Sequence, residues 1–303
     1  MKRSKAGKIS ENEEELFVEI LQNLYLKSSK KDLNLKFIEY VNVEILKDKE
    51  EKIIKISRIG DDYSNLGDVE IITDKRKIIL ELKYGRDTLA NISENAITQE
   101  NYGFFENALS WSEFREKNNF NKKIIDFIIE YDENIDRTLL EKRSKLAEFI
   151  RTLKLKLGES NKNTETLIRK AEESGEFLDI VELFKKIIHL ANKNKEDYIN
   201  YLKENENLLN TEKMEDFFYK VLLGITPSRN KKYSNHEYYY LTPNKMERIL
   251  FNNKKDNNGF FIEYRKQDII IGNNKIKLKL VFHWKNVMQG IQTPCLNVFK
   301  EEL

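Results

Sequence analysis

The period of the apolar positions changes several times along this chain, and each change marks an element. Between Glu11 and Lys27, residues Leu16, Phe17, Ile20, Leu21 and Leu24 fall on one face at helical spacing, with Ser10 placed to cap them, which predicts an amphipathic helix. From Leu33 to Leu46 and from Lys52 to Ile59 the pattern alternates and is rich in β-branched and aromatic side chains, as strands are. Two further strands are expected in Gly67 to Thr73 and Ile78 to Lys83, and the short polar link Asp74-Lys75-Arg76-Lys77 suits a hairpin between them. Thr88 to Leu109 carries Leu89, Ile92, Ala96, Ile97 and Phe104 and predicts one helix or two, broken near Gly103. Ile124 to Tyr131 fits either another core strand or a buried helix.

Beyond this point the texture changes. Arg137 to Leu223 is dense in Leu, Lys and Glu, with little turn punctuation beyond Gly158 and Gly175, and reads as several helices without a repeat. Gly259 to Trp284 alternates as two or three strands around an Asn273-Asn274 turn. The expected class is therefore α/β, divided into a core over 1–136, a helical subdomain over 137–223 and a basic, β-rich region over 224–303. At 303 residues the chain is long enough to bury a full core.

Composition narrows the chemistry. A single cysteine, Cys295, leaves no intramolecular disulfide and no cysteine zinc cluster, and His189, His236 and His283 are scattered rather than grouped as a histidine-based nuclease would need. The basic start runs into an acidic stretch instead of an apolar signal core, and no apolar run approaches a membrane span, so a cytoplasmic protein is expected. Net charge is only +2, but it is unevenly spread: residues 217–303 hold fifteen Lys and Arg against seven Asp and Glu, leaving 38 against 44 of the totals of 53 and 51 for the remainder. That C-terminal excess suits a phosphate-facing surface.

The candidate chemistry lies in the hairpin. Side chains alternate faces in a strand, so Glu81 and Lys83 point one way while Leu80 and Leu82 point the other. The short link folds Asp68 back beside Glu81, so that two carboxylates and a lysine share one small site. Oxygen ligands from Asp68 and Glu81, with the Leu82 carbonyl, suit a Mg²⁺ ion that keeps its remaining waters and takes a phosphate oxygen. Lys83 either stabilises the charge of the phosphorus transition state or positions and helps deprotonate the attacking water, and the sequence leaves both roles open.

These residues resemble the PD-(D/E)XK nucleases, a family that includes most type II restriction endonucleases along with repair, recombination and phage nucleases. The resemblance covers about Leu33 to Leu109, with Asp68 at the first acid, Glu81 at the second and Lys83 at the lysine; Gly67 stands in place of the usual proline. It implies a restriction-endonuclease-like mixed sheet flanked by helices, built around helix, three strands and helix, with the helical segment as an insertion and the C-terminal β-containing region added. It also implies that Glu15 or Glu19 of the first helix, or Glu70 beside Asp68, is a candidate to join the site. Gln99 and Tyr102 fall one residue short of the glutamine-tyrosine motif of one branch.

Taken together, the chain reads as a Mg²⁺-dependent, sequence-specific endonuclease of type II restriction type, acting on double-stranded DNA as a homodimer. The alternatives are a repair, recombination or phage nuclease that recognises DNA structure, and a noncatalytic DNA-binding protein on a nuclease fold. Arg229, Lys231 and Lys232 are the candidate phosphate contacts, and Asn235, Asn286, Gln289 and Gln292 the candidate base readers, because side-chain amides on loops beside cations match base edges.

Overall fold

The structure is a computed structural model that describes residues 12, 14–21, 41, 51–59, 67–82, 88–158, 164–228, 237–241, 246–250, 259–283 and 295–301. They form a mixed α/β protein with two five-stranded sheets. Contacts divide the chain into two compact units, each assembled from two separate stretches: Met1–Ala90 with Phe218–Gly259, and Asn91–Phe217 with Phe260–Leu303.

The first unit contains helix α1 (residues 14–21) and strands β1 (Ile53–Arg58), β2 (Val69–Thr73) and β3 (Lys77–Leu82). Antiparallel pairing sets Ile56 against Ile71 and Val69 against Leu80, as the alternating pattern predicts. The link between β2 and β3 closes on itself, with the Thr73 N–H donating to Arg76 O at 2.9 Å and the Arg76 N–H to Thr73 Oγ1 at 2.9 Å. Two strands from far along the chain complete the sheet: β5 (Glu237–Leu241) runs parallel to β3, and β6 (Met246–Leu250) antiparallel to β5. This pairing carries Glu237–Leu241 and Met246–Leu250, read from the sequence as part of the C-terminal region, into the sheet of β1–β3.

One face of this sheet forms the core of the unit. Phe17, Val18, Ile20 and Leu21 of α1 pack with Ile56, Val69, Ile71, Ile78, Leu80, Leu82 and Tyr239. The alternation that turns Leu80 and Leu82 into this core sends Glu70, Ile79 and Glu81 to the opposite face. That face is covered too, since Ile79 and both glutamates are buried.

The second unit carries strand β4 (Thr88–Ser93), within which the division between units falls, then α2 (Trp111–Lys117), α3 (Phe120–Tyr131), α4 (Arg137–Leu140), α5 (Arg143–Leu157), α6 (Thr164–Ser174), α7 (Leu178–Glu204) and most of α8 (Thr211–Leu222). Its sheet runs in the order β4, β10 (Cys295–Glu301), β9 (Lys277–His283), β8 (Asp268–Gly272), β7 (Phe261–Tyr264), with Asn273 and the residues after it turning β8 into β9 as expected. The core centres on Trp111, which stacks on Tyr198 at 6.0 Å between ring centres, meets Phe282 edge-on at 5.3 Å and donates its indole N–H to Asn194 Oδ1 at 2.9 Å.

One expectation is corrected. Residues 88–109 do not form a helix or a pair of helices: they give strand β4, a short 3-10 turn over Glu94–Ile97 and then irregular chain that bridges Phe105 to Leu209. Leu89 and Ile92 are three apart, which mimics a helical stripe, but sheet pairing with β10 overrides that local preference. The ambiguous run from Ile124 proves helical, lying inside α3 with Phe120, Ile124, Ile125 and Ile128 buried along one stripe. Among the described residues no helix is long and apolar enough to cross a membrane.

Candidate active site

The start of β2 is shaped by Gly67. Its φ of +72° lies in the left-handed region, and a Cβ there would come within 2.5 Å of Ile79 Cγ2 and 2.9 Å of Leu80 O. Proline, fixed near −65°, has no access to this conformation, so the glycine is a requirement of the backbone at the position where the resembled family has proline. Immediately after this turn Asp68 enters the ladder, donating its N–H to Leu80 O at 2.8 Å and accepting the Ile59 N–H at 2.8 Å.

The Asp68 side chain then takes over a ladder position. Leu80 presents its backbone groups toward β2, and Leu82, two residues on, presents its own to the same side. Gly67 turns the chain there, and Asp68 Oδ2 accepts the Leu82 N–H at 2.6 Å instead. The short distance is that of a charge-assisted bond. The same alternation directs the Leu82 carbonyl to the β2 side of β3, toward the strand that carries Asp68.

Glu81 lies between these backbone groups. It follows Leu80, which takes the Asp68 N–H, and its residue exposure is only 9%. Across from it comes a segment that the sequence reading did not connect to the site. Helix α8 ends at Leu222, and the turn after it brings Gly224 so close that a Cβ would lie 2.7 Å from Glu81 Oε1 and 2.8 Å from Oε2. The Leu222-Leu223-Gly224 stop, followed by Pro227, is legible in sequence as a helix end. Nothing local reveals that this end meets Glu81, because the contact follows from long-range sheet assembly.

The other candidates distribute as follows. Glu70 forms an ion pair with Lys77 diagonally across the hairpin. Glu15 reaches Arg58 of β1, its Oε1 lying 3.1 Å from Nη1, while its neighbour Glu14 lies 3.0 Å from Nε of the same guanidinium. Glu19 is exposed on α1. Tyr102 is half-buried, and burial raises its hydroxyl pKa above the ordinary value. Lys83, Arg229, Lys231, Lys232, Asn235, Asn286, Gln289 and Gln292 lie outside the described residues.

Asp68 is thus tied to the Leu82 N–H of β3, and Glu81 of the same strand lies against Gly224. Among the described residues no group of three or more His, Cys, Asp or Glu side chains gathers as a metal site. The donor class present, two carboxylates and a carbonyl, suits a hard cation that retains several waters and takes further oxygens from a bound phosphate; it does not suit zinc or copper, which favour nitrogen and sulfur. No protein-family profile, curated protein or solved structure matches the chain.

Proposed function

We propose that this protein is a Mg²⁺-dependent deoxyribonuclease of the PD-(D/E)XK kind, cutting both strands of DNA at a specific sequence in the manner of a type II restriction endonuclease. The observation that carries the reading is the 2.6 Å bond from the Leu82 N–H to the Asp68 carboxylate. It ties the first acid to the strand that holds the second acid and leads directly into Lys83. The order of elements at the start of the chain also supports it, with α1 followed by β1, β2 and β3.

A bound Mg²⁺ would polarise a phosphate oxygen and acidify a water. The chain supplies the rest. The Leu82 N–H holds Asp68 in one orientation, and a carboxylate that accepts one such bond keeps further lone pairs to offer. Burial of Glu81 strengthens every charge interaction made there, because the surroundings screen less than water does. Lys83 lends its charge to the phosphorus transition state or holds the attacking water. Arg229, Lys231 and Lys232 contact phosphates, and Asn235, Asn286, Gln289 and Gln292 read bases. Cutting both strands of a palindrome calls for a two-fold homodimer.

The reading is tested by incubating the purified protein with phage DNA, with and without Mg²⁺. Discrete fragments are expected with the ion and intact DNA without it. DNA left whole in Mg²⁺ and Mn²⁺ alike would overturn the reading, and cutting confined to branched or nicked DNA would replace restriction by repair. In the same assay Lys83→Ala is expected to slow single-turnover cleavage by several orders of magnitude with little change in affinity. An unchanged rate would reduce Lys83 to half of an ion pair.

A further inference from the structure

Helix α8 ends in a Schellman motif. The Gly224 N–H donates to Val221 O at 3.1 Å and the Ile225 N–H to Lys220 O at 2.8 Å, with Gly224 at φ +67°. These bonds fix which way the glycine faces. A Cβ at this position would stand 2.7, 2.8 and 2.9 Å from Oε1, Oε2 and Cδ of Glu81, so the carboxylate lies broadside against the Cα of Gly224. The turn is held from behind as well, since the buried Lys220 donates from Nζ to Pro227 O at 3.2 Å. A Cβ at Gly224 would therefore displace the Glu81 carboxylate, the far end of a flexible side chain, from the place it now occupies.

We infer that Gly224 is a positioning residue that fixes the Glu81 carboxylate and thereby restricts the acidic pair to a small cation of the Mg²⁺ class. The inference rests on the reading of Asp68 and Glu81 as a cation site. Mg²⁺ demands near-ideal octahedral geometry at short range, whereas Ca²⁺ accepts more ligands, longer distances and irregular arrangements. A carboxylate held flat against backbone serves the first ion. Displaced by a methyl group, it serves the second about as well and the first far less.

The test is calorimetric titration of the full chain with MgCl₂ and with CaCl₂, so that it does not depend on cleavage. Gly224→Ala is expected to weaken Mg²⁺ binding by about 10- to 100-fold, the range seen when a group that orients a metal ligand is removed, and Ca²⁺ binding much less. Gly175→Ala is the control for backbone strain: Gly175 has φ +73°, but a Cβ there meets nothing within 4 Å, so Mg²⁺ affinity should stay at the wild-type value. In a Glu81→Asp background, where the shorter side chain withdraws from the turn, adding Gly224→Ala should change Mg²⁺ affinity little, a non-additivity that marks direct contact.

Should Gly224→Ala bind Mg²⁺ as Gly175→Ala does, or lose Mg²⁺ and Ca²⁺ affinity equally, the positioning role is overturned while an Asp68-dependent cation site still stands. A wild-type protein with no Asp68-dependent Mg²⁺ binding and no cleavage overturns the cation site and the inference together. If Gly224→Ala fails to fold, the Glu81→Asp, Gly224→Ala double variant decides: recovery of folding supports the collision with Glu81, and failure to recover overturns it.

Discussion

Gly67 and Asp68 together show how single residues set up the site. Gly67 adopts a left-handed conformation against Leu80, which ends the backbone ladder, and the Asp68 carboxylate fills the place that opens at the Leu82 N–H. Gly67→Ala is expected to destabilise the protein by about 1–3 kcal/mol, through strain at positive φ and collision with Ile79. A urea unfolding curve measures this, and an unchanged midpoint would show that the turn relaxes freely. The antiparallel pairing of β2 with β3 was legible in the sequence, because a short polar link and strict alternation leave a hairpin one sensible register. The approach of Gly224 was not, because it depends on β5 returning to pair parallel with β3, and parallel partners carry no local signal of whom they will meet.

At the level of elements, some boundaries are set by chemistry within a few residues of chain. Helix α2 begins with a capping box: Ser110 Oγ accepts the Glu113 N–H at 3.2 Å, and the Ser110 N–H donates to Glu113 Oε2 at 2.8 Å. The Ser110 hydroxyl, and then its N–H, hold the Glu113 carboxyl below its ordinary pKa of 4.5. A group whose pKa is lowered on folding contributes stability above its unfolded pKa and loses that contribution as pH falls through the folded one. Ser110→Ala is therefore expected to cost about 1 kcal/mol at neutral pH. The gap between wild type and variant should narrow below pH 4.5, in urea melts at the two pH values. A gap independent of pH would separate the cap from the Glu113 charge. Thr88–Ser93 illustrates the opposite case, where spacing that suits a helix equally suits a strand and only a distant partner decides. The apolar run at Ile124 became readable as helix once its start was placed at Phe120, which extends the buried stripe by a turn.

For the molecule as a whole, the near-neutral net charge conceals a basic C-terminal third and an acidic remainder. On the proposed reading the basic part faces phosphate. Replacing Arg229, Lys231 or Lys232 with Ala should weaken binding to all DNA sequences about equally and lower the slope of log affinity against log salt by about one for each lost contact. Replacing a base reader among Asn235, Asn286, Gln289 and Gln292 should instead cost about 1–3 kcal/mol on the preferred site and little on random DNA. Binding titrations at several salt concentrations distinguish the two, and seven variants with unchanged affinity and slope would move the DNA surface elsewhere.

If Asp68 serves a cation at the reacting phosphate, as proposed, a comparison of wild type with Asp68→Asn in Mg²⁺ on the same DNA will reveal it. Asparagine keeps an oxygen that can accept the Leu82 N–H, so the fold and DNA affinity should persist while the anionic ligand is lost. Discrete fragments are expected from wild type and intact DNA from the variant at equal occupancy. Cleavage by Asp68→Asn at the wild-type rate would contradict that role for Asp68.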